Sequence, residues 1–279
     1  NEQQSVLIVP VSTLMLRTAP ASFIYGSTLN FKVGDKLDTH NLRSNLEQAG
    51  YLNVQQVMEH GEYAIRGSIV DLYPMGSVHP FRLDFFDDEL DSIRLFDVET
   101  QRSDEKVDKI ELLPAHEFPT NEADVERFRI NYRDKFGASS EQDSVYMQVS
   151  KGTWPAGIEY YMPLFFEKLA TIFDYLPNTT TVMQLGDLEH AADTFWHDVN
   201  VRYENRKVDP LRPLLAPSEL YQPINELFSN LGEFARIRLS QAKLPTKAGN
   251  KNLAVNELPN VRIDHKKHEP YNAFISYVA

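Results

Sequence analysis

Apolar and polar positions change rhythm several times along this chain, and each change marks a different kind of element. It opens on Val6-Leu-Ile-Val-Pro-Val11, a continuous apolar run of the buried-strand type, with Ser12 after it as the cap of a short helix that Pro20 stops. This is one βα unit of a parallel sheet. Its isolation leads us to expect a chain that begins in the middle of a domain whose earlier strands lie outside it.

A second rhythm sets in near Leu29. Asp38 or Thr39 caps a helix that carries Leu42, Leu46 and Ala49 on one side and ends at Gly50. Strand-like segments follow at Tyr51–Met58, Tyr63–Tyr73, Phe81–Phe86, Leu90–Asp97 and Val107–Leu113, separated by turn-rich stretches such as Pro74-Met-Gly-Ser77. The pattern predicts an α+β module built on an antiparallel sheet.

From Thr120 helical spacing returns: Val125, Phe128 and Tyr132 share a face and Gly137 ends the segment, which puts a boundary near residue 118. Thr179–Leu185 then looks like a strand, and Leu188, Ala192, Phe195, Val199 and Tyr203 mark a long amphipathic helix. If these later elements complete the α/β domain begun before Leu29, the antiparallel module is an insertion. Lys243–Asn252 is polar and aperiodic, a linker leading to a further strand around Val261. The expected divisions are 1–28, 29–117, 118–242 and 243–279.

Within Phe81-Arg-Leu-Asp-Phe-Phe86, alternation gives Phe81, Leu83 and Phe85 to the core and turns Arg82, Asp84 and Phe86 to the other face. An aromatic beside an arginine outside the core points either to a second layer packed over Phe86 or to a binding surface, because these residue types dominate interface energetics. Arg66 precedes Gly67 in what reads as one long strand, where the glycine permits a bulge or a close backbone approach; parity fails on either side of it, so the facing of Arg66 stays open.

Composition narrows the function classes. A chain of 279 residues, 42% hydrophobic, has room for two cores, and the absence of cysteine excludes disulfides and thiolate metal sites. The apolar runs fall far short of the ~20 residues a spanning helix needs, and no basic-then-apolar leader opens the chain, so we expect a soluble, cytoplasmic protein without a membrane partner. The net charge is −12, and nine acidic residues lie between Arg82 and Glu105. Such a segment repels nucleic acid, whose binding needs clustered Lys and Arg.

Catalytic patterns are missing. Lys151-Gly152-Thr153 and Lys247-Ala-Gly-Asn-Lys251 lack the strand-to-helix setting of a phosphate loop and read as ordinary loops. The eight histidines are scattered, and neither His190 with His197 nor His265 with His268 has a second pair of ligands. Asp87-Asp88-Glu89 sits between two strand patterns and reads as a hairpin turn rather than a metal or acid–base site. No nucleophile elbow occurs. We expect no catalysis from this chain.

Several of these segments also carry a family resemblance. Tyr63-Ala-Ile-Arg-Gly-Ser-Ile-Val-Asp-Leu-Tyr-Pro74 resembles the opening of the UvrA-binding domain of UvrB-like proteins, and Gly157-Ile-Glu-Tyr-Tyr161, Ile172-Phe-Asp-Tyr-Leu-Pro177 and Glu204-Asn-Arg206 resemble UvrB segments in the same order. Where UvrB has an Asp-Glu-Ser-His box, this chain has Leu185-Gly-Asp-Leu-Glu-His190. That departure, with His60-Gly-Glu-Tyr63, Leu83-Asp-Phe-Phe-Asp-Asp88 and Leu112-Leu-Pro-Ala-His-Glu-Phe-Pro119, is similar to the N-terminal, UvrB-like region of the bacterial transcription-repair coupling factors, the Mfd family.

The resemblance implies an incomplete helicase-like α/β domain, its first part ending at 28 and its second running over 118–242, interrupted by a UvrA-binding domain at 29–117. It implies that this region binds UvrA through Arg66, Arg82 and Phe86 and lacks a working ATP site. ATP and magnesium would serve a C-terminal translocase motor, RNA polymerase and DNA would be contacted by other domains, and the protein's own C-terminal domain would mask the UvrA surface. Two rivals remain: a UvrB-type ATP-dependent enzyme whose phosphate loop lies before Asn1, and a structural module that braces the motor.

Overall fold

The computed structural model describes residues 5–137, 139–209, 211–240, 243–253, 269, 271, 275 and 276. It forms two compact units, Asn1–Val182 with Asp187–Ile237, and Met183–Gly186 with Arg238–Ala279. In the second, residues 243–253 contain neither helix nor strand, and the strand expected around Val261 lies outside the described residues.

The first elements are α1 (Val11–Met15), β1 (Arg17–Thr18) and α2 (Ala21–Gly26). The strand expected over Val6–Val11 does not form: Val6, Leu7 and Ile8 are exposed, and residues 5–10 belong to none of the described sheets. An apolar run becomes a strand only where neighbours take up its N–H and C=O groups, and none of the described strands does so here. Pro10, not Ser12, occupies the N-cap position of α1, with no side-chain capping bond, and Pro20 precedes α2 instead of stopping a helix. Both prolines stand just before a first turn, whose free N–H groups they do not disturb.

The middle of the chain forms β2 (Leu29–Lys32), α3 (Thr39–Gln48), β3 (Leu52–Asn53), β4 (Glu62–Arg66), β5 (Ile69–Leu72), β6 (Phe81–Phe86), β7 (Glu89–Phe96), β8 (Ser103–Val107) and β9 (Lys109–Leu112). Six of them make one sheet in the order β3-β4-β5-β6-β7-β8, parallel between β3 and β4 and antiparallel elsewhere, while β2 pairs antiparallel with β9. The apolar stripe of α3, Leu42 and Leu46 with Ala49 just beyond, is buried with Tyr63, Val70, Leu83, Phe85 and Ile93 of the sheet. Each leucine, valine, isoleucine or phenylalanine among them contributes about 1.5–3 kcal/mol on withdrawal from water, which fixes both the helix and the parity of the strands beneath it.

Two expected strands divide. Tyr63–Tyr73 is a hairpin, β4 and β5 joined by Gly67-Ser68, with Arg66 opposite Ile69. Gly67 has φ +63°, which suits the first central position of a type II′ turn, so it reverses the chain rather than bulging it. This is why parity failed across it. The Val107–Leu113 segment splits between β8 and β9, which lie in different sheets, and only Leu52–Asn53 of the expected Tyr51–Met58 strand is regular.

The remainder comprises α4 (Glu122–Phe136), α5 (Val145–Ser150), a 3-10 helix (Ile158–Leu164), β10 (Ala170–Thr171), a second 3-10 helix (Ile172–Tyr175), β11 (Thr181–Leu185), α6 (Leu188–Arg206), α7 (Pro217–Leu220), α8 (Ile224–Gly232) and β12 (Ala235–Leu239). The Asn121 side chain accepts the Asp124 N–H to start α4, and Gly137 ends it. Val125, Phe128 and Tyr132 are buried on one face, as their spacing predicts. The start of the chain is tied to this region: β1 pairs antiparallel with β10, Met15 packs with Ala192, Leu227 and Leu231, and Arg17 grips Glu226 through two bonds of 2.8 and 2.6 Å. The architecture is mixed α/β.

Candidate interaction surface

Strand β6 sorts its side chains as alternation requires. Leu83 and Phe85 are buried, Phe81 packs half-buried against the same core, and Arg82, Asp84 and Phe86 face away. Phe86 is 79% exposed, so no second layer covers it among the described residues. Such a layer does exist farther along the sheet, where Val57, Ala64 and Phe96 are buried with Val54, Tyr73 and Val98 around them. It stops short of Phe86.

Arg82 is not a free surface charge. Its Nε and Nη2 donate to the two carboxylate oxygens of Asp71 at 2.6 and 2.9 Å, its Nη1 donates to the Gln101 carbonyl at 3.1 Å and the Ser103 hydroxyl at 3.3 Å, and its guanidinium lies 5.0 Å from the Phe96 ring centroid. The hydrogen bonds to Asp71 hold the Arg82 pKa above its ordinary value, against the opposing effect of partial burial. Two donors on one carboxylate and a ring beneath the plane fix the fork in a single pose.

Arg66 joins the same face. It ends β4, its side chain is half exposed, and its Nη2 pairs with the Asp71 oxygen that Arg82 also uses. Asp71, itself fully buried, therefore aligns both arginines. Sequence reasoning passed over this residue, although a carboxylate inside the apolar run Ile69-Val-Asp-Leu72 was the available signal: it needs a cationic partner to be buried there at all.

Phe86 lies four residues beyond Arg82, about 13 Å along the strand. It abuts the turn Asp87-Asp88, where Asp87 adopts φ +61°, so the acidic cluster is the hairpin turn its setting suggested. A neighbouring loop pins this tip: Leu37 N–H donates to Asp88 O at 2.8 Å and Gly34 N–H to Leu90 O at 2.8 Å. The aromatic is held out on a fixed backbone, which lowers the ordering cost of docking it. The lookalike Lys151-Gly152-Thr153 falls at the end of α5, and no group of three His, Asp or Glu side chains is arranged for a metal among the described residues.

Comparison with known proteins places these residues in context. Residues 29–118 match the family model described as UvrB interaction domain. The chain is 51% identical over 277 residues to the transcription-repair-coupling factor of Escherichia coli and 45% identical over 279 residues to that of Haemophilus influenzae, 99% and 100% of this chain. It is 26% identical over 243 residues, 82% of its length, to the Bacillus subtilis factor. The chain spans 24% of the length of the first two relatives and 20% of the third. It belongs to the transcription-repair-coupling factor family, as a segment that carries a UvrB interaction domain.

Proposed function

We propose that the sheet face carrying Arg66, Arg82 and Phe86 binds UvrA, and that the segment serves to recruit nucleotide excision repair to a stalled RNA polymerase. The observation that carries this reading is the pairing of an uncovered aromatic, Phe86, with a guanidinium already locked in place, Arg82. Arg and bulky aromatics are the side chains that anchor interfaces, and preorganisation spares them the entropy of ordering. The family resemblance names the partner.

In the same proposal the segment performs no catalysis. It is the N-terminal, helicase-like part of a longer cytoplasmic protein, whose ATP- and magnesium-dependent translocase motor, polymerase contact and DNA contact lie elsewhere, and whose C-terminal domain masks the UvrA surface at rest. The UvrA-binding domain occupies 29–117 as an insertion between 1–28 and 118–242, with 243–279 leading onward. The β1–β10 pairing and the Arg17–Glu226 ion pair, which join the stretch before the insertion to the stretch after it, support that division.

Calorimetric titration of the chain with purified UvrA tests the proposal. Saturable binding that UvrB competes away is the expected result. Absence of binding by the folded chain would sink it and favour a bracing module instead.

A further inference from the structure

The ladder registers align one residue from each of five consecutive strands in a single row: Ala64 opposite Asp71, Asp71 opposite Arg82, Arg82 opposite Arg94, and Arg94 opposite Lys106. Directly paired residues share a face, so Arg82, Arg94 and Lys106 stand side by side on the face that also carries Phe86, one strand spacing of about 4.8 Å apart. Like charges directly opposite each other destabilise a sheet. Here three cations are opposed in succession, in a protein whose net charge is −12.

The fold neutralises only the first of them. Asp71 is committed to Arg82 and Arg66. Neither Arg94, half-buried, nor Lys106, exposed, has an ion pair or a side-chain hydrogen bond among the described residues. A repulsive row that the domain leaves uncompensated is the kind of local violation found where a partner supplies the missing charge.

We propose that Arg94 and Lys106 extend the docking surface beyond Arg66, Arg82 and Phe86, and that the row receives a carboxylate-rich strip of the bound protein. This rests on the UvrA-binding reading and adds to it two residues that set partner choice and encounter rate. Discrete carboxylates suit the face better than a polyphosphate backbone does. Asp84 shares the face, and Asp87, Asp88 and Glu89 crowd the turn beside Phe86, so a long polyanion would meet repulsion at that end.

The experiment is stopped-flow association of the full 279-residue chain with UvrA at low and high salt, for wild type and for Arg94→Glu/Lys106→Glu. The double reversal should slow association about tenfold at low salt and much less at high salt, because rim charges act mainly through steering that salt screens. Its melting temperature should not fall, since Arg94→Glu turns the like-charge pair with Arg82 into an opposite one, while the pair at 94 and 106 only changes from two cations to two anions. An association rate and salt dependence equal to those of wild type would overturn the extended surface while leaving UvrA binding intact. If wild type itself fails to bind UvrA, both fall together. Binding of a labelled DNA duplex that the double reversal abolishes would assign the row to phosphates and equally overturn the inference.

Discussion

Asp71 lies directly across the β5–β6 ladder from Arg82 and holds its guanidinium by two hydrogen bonds, although the carboxylate is entirely buried and the arginine side chain is 18% exposed. The pair is part of the sheet's interior and of its binding face at once. Replacing the acid strands a partly desolvated cation. Asp71→Asn should therefore destabilise the chain by about 2–3 kcal/mol, below the ~3–5 typical of fully buried pairs because Arg82 retains some solvent. Urea unfolding followed by circular dichroism measures this, and a loss within about 0.5 kcal/mol of zero, the level of an indifferent surface change, would contradict it.

The end of α3 contains a second, purely steric relationship. Gly50 has φ +85°, and a Cβ built there would meet His116 Cδ2 at 2.5 Å. His116 cannot withdraw freely, since its ring stacks on Phe118 at 5.1 Å and lies 6.2 Å from Trp154. Gly50→Ala should cost about 1–2 kcal/mol from the left-handed backbone alone, with a further loss from the clash. In a His116→Ala background the extra part should vanish, a coupling on the order of 1 kcal/mol in a double-mutant cycle. Strict additivity would show that the contact carries no energy.

His116 also makes stability depend on pH. Burial lowers its pKa below the ordinary 6.5, with Glu159 opposing the shift. Between the lowered folded value and 6.5 the unfolded chain binds more protons, so stability is fully present above 6.5 and is lost as pH falls through 6.5 toward the folded value. The urea midpoint should drop between about pH 7.5 and 5.5 more steeply in wild type than in His116→Phe, which keeps the ring and removes the titration. Equal slopes would mean that other groups govern this window.

How much of this was legible beforehand follows from what each element depends on. Strand β6 was readable to the residue because its parity is decided by burial on one face, and α3 and α4 because their apolar stripes and terminal glycines agree. The Val6–Val11 strand failed because pairing is a property of neighbours, which an apolar run does not encode. The Gly67-Ser68 turn was hidden inside what reads as one long strand, because glycine permits a bulge, a close approach or a turn and only the partner register distinguishes them. Arg66 could not be assigned a face for the same reason. Asp71 went unnoticed because its meaning lies across the ladder, in Arg82, and not beside it in sequence.

The most direct test of the account uses Phe86, because it can be removed without touching the fold. At 79% exposure, Phe86→Ala should leave stability within about 0.5 kcal/mol of wild type, whereas at an interface anchor it should weaken UvrA binding by at least about 2 kcal/mol, roughly thirtyfold, in a calorimetric titration. A folded variant that binds UvrA as tightly as wild type would contradict the central claim and move the docking surface away from this face.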